Sequence, residues 1–92
     1  MEKVRIVEVA PRDGLQSIPL NIPTKRKVEL INRLSSTGLQ EIEVTSFVSP
    51  KWVPQLSDAP EVSRLIKKNP LVRYTALVPN KVGLNKAIES GY

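Results

Sequence analysis

The sequence predicts an α/β fold with three β/α units in the order βαβαβα. Two observations carry the prediction. Three short β-branched segments alternate with three segments of helical period, the pattern of a parallel sheet joined by right-handed crossovers. Strand starts recur about every 35 residues, close to the unit length of an eightfold β/α barrel of roughly 250 residues. No sequence identity links the units, so the repeat is architectural only. Three units cannot close a barrel, and a free three-stranded parallel sheet would expose both of its edges. The expectation is that residues 1–92 are the N-terminal part of one longer barrel domain.

Each element has a local reason. Val4 to Val9 ("VRIVEV") is β-branched and roughly alternating, so it reads as a strand, and Pro11 ends it because proline cannot continue a central ladder. Asp13-Gly14 signals a turn, and Ser17 to Pro23, with two prolines, reads as a loop. Thr24 can cap a helix over Lys25 to Ser36, with Val28, Leu30, Ile31 and Leu34 on its apolar face and Gly38 at the position of a C-terminal glycine. Glu41 to Thr45 is a second strand, whose pleat sets Ile42 and Val44 against Glu41, Glu43 and Thr45 on the other face. Ser46 to Asp58 is a long loop. Ser57 or Asp58 can cap a helix from Ala59 to about Lys68, with Pro60 tolerated in its first turn and Val62, Leu65 and Ile66 buried. Val72 to Val78 is a third strand. Lys81 to Ser90 is a third helix with Val82, Leu84 and Ile88 apolar, and Gly91 follows in a turn signal.

Composition narrows the function. Of 92 residues, 40% are hydrophobic, too many for a disordered chain. The net charge of +5 permits an anionic partner such as a phosphate-bearing ligand, but its plain reading is a solvated basic surface. Aromatics make up only 4%, so the interleaving of bases and rings typical of single-strand nucleic-acid binders is absent, and no nucleic-acid partner is expected. Lys67 and Lys68 read as cations at a helix C-terminus. There is no cysteine and no histidine, so thiol chemistry is excluded within these residues. Any metal site here must use oxygen ligands, which favours magnesium or manganese over zinc. No apolar run reaches the roughly 18 residues of a spanning helix, so no membrane partner is expected. Neither a signal peptide nor a transit peptide is read at the N-terminus.

In parallel α/β architectures chemistry sits in the loops after the strands. "PRDGLQ", "TSFVSPKWVPQ" and "PN" occupy those loops and face one rim. Arg12 offers a planar fork of donors for a carboxylate, a carbonyl oxygen or a developing enolate. Asp13 offers a hard oxygen for a divalent ion. The plain alternative is a solvated surface turn. Glu43, opposite the apolar pair, points into the barrel, where its carboxylate needs a partner such as Arg12; it then serves either a site or a structural ion pair. Glu8 faces the same choice. Trp52 either anchors its loop or lines a ligand entrance.

At these residues a resemblance emerges. "VEVAPRDGLQ" with "IEVTSFVSPKWVPQLSD" closely resembles the start of the hydroxymethylglutaryl-CoA lyases, a family of metal-dependent carbon–carbon lyases related to Claisen-type synthases on the TIM (β/α)8 barrel. "RDG.Q" alone is shared across that superfamily, whereas "TSFVSPKWVPQ" is far more specific and points to the lyase branch, and "LVPN" also fits. The resemblance implies cleavage of hydroxymethylglutaryl-CoA to acetoacetate and acetyl-CoA. It implies that Arg12 holds the substrate carbonyl oxygen and stabilises the enolate-like transition state, that Asp13 ligates a divalent metal (Mg2+ or Mn2+), that Gln16 lies near the substrate, and that Glu43 supports the site. The family also uses a His-x-His pair, a cysteine in a glycine-rich loop and a late asparagine near the metal; this chain has no histidine or cysteine. The expectation is a lyase in the full-length protein and no activity from these residues alone. The cytoplasm of a bacterium is the expected compartment, or the mitochondrial matrix for a processed eukaryotic form, and a homodimer is open for the full-length protein. The competing readings are a related Claisen-type acyl-CoA synthase, which the "SFVSPKWVPQ" loop disfavours, a non-catalytic truncated β/α protein, and a basic nucleic-acid module.

Overall fold

The alternating β-branched and helical segments assemble as their order requires. The computed structural model describes Val4 and residues 6–92. Strands β1 (Val7–Glu8), β2 (Glu41–Ser46) and β3 (Arg73–Leu77) form one parallel sheet in the order β1-β2-β3. Helices α1 (Thr24–Ser35), α2 (Ala59–Leu65) and α3 (Lys81–Glu89) follow the three strands. The register pairs Val7 with Glu41, and Glu41 in turn with Arg73.

The core lies between the sheet and the first two helices. Ile42 and Val44 point from β2 into a cluster with Ile31 of α1, Val62 of α2, Ile66 and Val72. This is the outward orientation expected for the apolar pair. A second cluster joins Phe47, Ala59 and Ala87. An irregularity between Glu43 and Thr45 places an additional residue on β2 opposite β3. Thr45 is buried, as are Ser46 and Phe47, so it does not share the setting of Glu43 as simple alternation predicts.

Several boundaries differ from expectation for identifiable reasons. Among the described residues the first strand holds only Val7 and Glu8; Arg5 of the expected strand lies outside them. The strand stops early because the Val9 carbonyl turns to serve the next element, accepting from the amides of Arg12, Asp13 and Gly14. Thr24 is the first helical residue of α1 rather than its cap. Its hydroxyl donates to Asp58 Oδ2 at 2.5 Å. Asp58 precedes α2 but makes no side-chain cap, because its carboxylate is taken by Thr24 and Lys27. Helix α2 ends at Leu65, since Ile66 is already extended with ψ 144°. Leu65 is therefore 52% exposed, and Lys67 and Lys68 lie beyond the helix instead of on its last turn. Gly38, after α1, has the positive φ of +89° that its place predicts.

Helix α3 turns a different face inward than its apolar residues suggest. Gly83 and Ala87 are buried, while Val82, Leu84 and Ile88 are exposed. Asn80 caps the helix, its Oδ1 accepting from Gly83 N at 2.8 Å. A Cβ at Gly83 would overlap the carbonyl oxygen of Phe47, so glycine is what lets α3 approach the end of β2. Behind the sheet, two serines repeat one device. Ser35 and Ser63 each donate to a carbonyl four residues back and pair with a tyrosine hydroxyl, Tyr74 at 2.8 Å and Tyr92 at 2.9 Å. Burial pushes the Tyr92 hydroxyl pKa up, an effect partly offset by its bond to Ser63.

Candidate active site

The residue types that carry charge after β1 and on β2 meet at the C-terminal rim of the sheet. The segment Ala10–Gly14 forms a π-helical turn with Pro11 buried near its start. Three amides converge on the Val9 carbonyl there, at 3.1, 2.7 and 3.3 Å from Arg12, Asp13 and Gly14. Single π turns of this kind are frequent at functional sites. Glu8 serves the same turn from below: its Oε2 accepts from the amides of Val9 at 3.1 Å and Ala10 at 3.4 Å. Glu8 thus takes the structural side of the choice open to it.

The turn aims Arg12 across β1 onto β2. Its Nε donates to Glu43 Oε1, and the pair is screened from most water, with side chains 20% and 19% exposed. The other described contact of the guanidinium is a long one, Nη1 to Asp13 Oδ1 at 3.4 Å. Asp13 is 61% exposed and projects from the rim. One side of the Arg12 fork is thus fixed by a carboxylate. Its Nη1 lies beside an open acidic oxygen, a geometry suited to holding a substrate oxygen and a cation together. Among the described residues no three acidic side chains cluster as a metal cage. Asp13 fits a hard divalent cation as one oxygen ligand, and an octahedral shell needs more than it supplies.

Gln16 follows the turn and is half-buried. Its carbonyl accepts from Gln55 Nε2 at 3.4 Å, and the same nitrogen donates to Ile18 O at 3.2 Å. Gln55 belongs to a 3-10 turn, Pro54–Leu56, in the loop after β2. Its backbone carbonyl accepts from Lys27 Nζ, which also binds Asp58 Oδ1 at 2.6 Å. Sequence reasoning missed this network. The available signal was Lys27 itself, which lies four residues before Ile31 and eight before Ser35, on the face that α1 buries. Trp52 is 76% exposed with the Lys51 ammonium 5.7 Å from its ring, so it does not anchor its loop. Among the described residues no helix is long and apolar enough to cross a membrane.

Three β/α units with charged residues gathered after the first strand and on the second define a parallel α/β scaffold. The chain belongs to the HMGL-like family, whose model matches residues 3–92. It is 57% identical over 90 residues to the mouse cytoplasmic 3-hydroxy-3-methylglutaryl-CoA lyase, covering 98% of this chain and 26% of that protein. Among solved structures, a Bacillus subtilis HMG-CoA lyase superposes with TM-score 0.93 at 55% identity, over 97% of this chain and 30% of that one. An Acinetobacter baumannii HMG-CoA lyase in complex with coenzyme A and 3-methylmalate superposes with TM-score 0.91 at 45% identity, over 94% and 28%. The names of related lyases include both cytoplasmic and mitochondrial forms. The chain thus spans 26%, 30% and 28% of the length of these three relatives. The α/β fold expected from the sequence is the observed one.

Proposed function

We propose that these 92 residues are the N-terminal units of a single TIM-barrel lyase domain, and that the whole protein cleaves 3-hydroxy-3-methylglutaryl-CoA to acetoacetate and acetyl-CoA. The observation that carries the reading is the Arg12–Glu43 pair held at the rim beside the exposed Asp13, in a chain of this family. In the cleavage a base takes the proton of the tertiary hydroxyl, and that oxygen becomes the ketone of acetoacetate. The broken carbon–carbon bond leaves its electrons on the thioester fragment as an enolate, which is then reprotonated to acetyl-CoA. Arg12 holds the substrate oxygen on which negative charge gathers, and Glu43 fixes the angle of the guanidinium. Gln16 stands near the substrate. Asp13 would be one oxygen ligand of a divalent cation, Mg2+ or Mn2+, which would supply polarisation of the substrate's oxygens. The compartment proposed is the bacterial cytoplasm, or the mitochondrial matrix for a processed eukaryotic form.

The test is thioester cleavage by the full-length protein with Mg2+ or Mn2+. Cleavage is expected from the parent, and Arg12→Gln is expected to lower kcat by about 10²- to 10³-fold, the scale for losing one donor to a developing oxyanion. Absence of cleavage by the parent with either ion overturns the proposal. Residues 1–92 alone are expected to be inactive, because Asp13 by itself cannot hold the cation.

A further inference from the structure

We infer that Gln55 is a positioning residue for the Arg12–Gln16 turn, bolted to the body of the fold by Lys27; the catalytic part of this inference rests on the lyase reading above. The turn is held at its start by two carboxylates. Glu8 takes the amides of Val9 and Ala10, and Glu43 takes the Arg12 side chain. Its far end runs into Ser17–Pro23, which holds two prolines and has no regular structure. Internal bonds there are local, Ser17 N to Asp13 O at 3.2 Å and Ile18 N to Leu15 O at 3.2 Å. They shape the segment without tying it to anything else. Gln55 makes that tie, reaching across 39 and 37 residues of sequence to the carbonyls of Gln16 and Ile18.

The residue type fits the task. A primary amide nitrogen carries two hydrogens and can serve two carbonyls at once, while a carboxylate of the same size has none to give. The side chain is only as steady as the backbone it leaves from. Here that backbone is fixed by Lys27, whose ammonium is buried at 4% exposure between the Gln55 carbonyl and Asp58. A charge-assisted bond of this kind is stronger than a neutral one. The chain of contacts therefore runs from α1 through the loop after β2 to the loop after β1, and ends on the candidate substrate-binding residue Gln16.

Gln55→Ala and Gln55→Glu in the full-length protein test the inference by two readouts, turnover and amide hydrogen exchange at Ser17 and Ile18. The expected result is exchange at least tenfold faster at those two amides, with β2 amides unchanged. Alongside it, kcat is expected to fall about 10- to 100-fold at an unaltered melting temperature, the scale for a small misplacement of a binding group. Gln55→Glu is expected to be the worse of the two, since it sets a carboxylate against two carbonyls. Unchanged exchange at Ser17 and Ile18 overturns the inference, as does unchanged kcat in an active parent. A parent that does not cleave the thioester sinks the lyase reading instead, and exchange alone then decides whether Gln55 holds the turn.

Discussion

Two ion pairs among the described residues, Lys27–Asp58 and Arg12–Glu43, cross between elements of this fold, and they differ in what is left over after pairing. Lys27 is buried, and its ammonium is committed to Asp58 and to the Gln55 carbonyl. Arg12 is one-fifth exposed, spends one nitrogen on Glu43, and leaves its distal end at the rim beside Asp13. The first arrangement consumes a charge to join α1 to the loop before α2. The second keeps one end of a charge available. Complete use in a dry mount suits a cation to architecture, whereas incomplete use inside a rigid mount is what the ligand role proposed for Arg12 requires.

The largest expected effect breaks the architectural pair. Lys27→Met keeps most of the side-chain volume but strands Asp58 with Thr24 as its remaining described partner. Removing one member of a buried pair costs about 3–5 kcal/mol. Asp58 is one-fifth exposed, which admits some water and favours the lower end, about 3 kcal/mol. Urea unfolding of the full-length protein reads this directly. A loss under about 1 kcal/mol, the range of exposed pairs, would erase the distinction between the two.

Breaking the rim pair should do the reverse. Glu43→Gln keeps an oxygen that can accept from Arg12 Nε but removes the charge that orients the guanidinium. The expected stability change is about 1 kcal/mol or less, as for partly exposed pairs. The expected fall in kcat is about tenfold, from a binding group held less firmly. A large loss of stability with unaltered kcat would make Glu43 an architectural residue like Lys27.

The two pairs were not equally legible in the sequence. The rim pair could be read because period-two alternation on β2 separates Glu43 from Ile42 and Val44, and because strand ends in parallel folds share one rim. Those rules use only near neighbours and topology. Lys27 was harder to place: its spacing from Ile31 sets it on the face that α1 buries, but its acceptor is not local, since Asp58 lies 31 residues away. The faces of α3 failed for a related reason. Counting large apolar residues selects Val82, Leu84 and Ile88, whereas contact with the end of β2 selects the small ones, Gly83 and Ala87, that allow close approach. The end of strand β1 falls one residue short of its expected limit because β-branched composition does not reveal that the Val9 carbonyl is drawn into the following turn.

The smallest expected effect concerns Thr24, which the sequence offers as a helix cap and the structure assigns to Asp58. Both roles predict that Thr24→Val weakens the fold by about 1 kcal/mol, the worth of a cap or of a hydrogen bond. The two roles part in combination with Lys27→Met. A cap acts on the first turn of α1 alone, so its loss would simply add to that of Lys27. A donor to Asp58 shares its acceptor with Lys27, and side chains in one network do not add. In the Lys27→Met background the Thr24 hydroxyl is the described donor that remains on the Asp58 carboxylate, so its removal should then cost more than in the parent, by about 0.5–1 kcal/mol. Additive losses in that double-mutant cycle would return Thr24 to the role of a cap and reduce the network to a single pair.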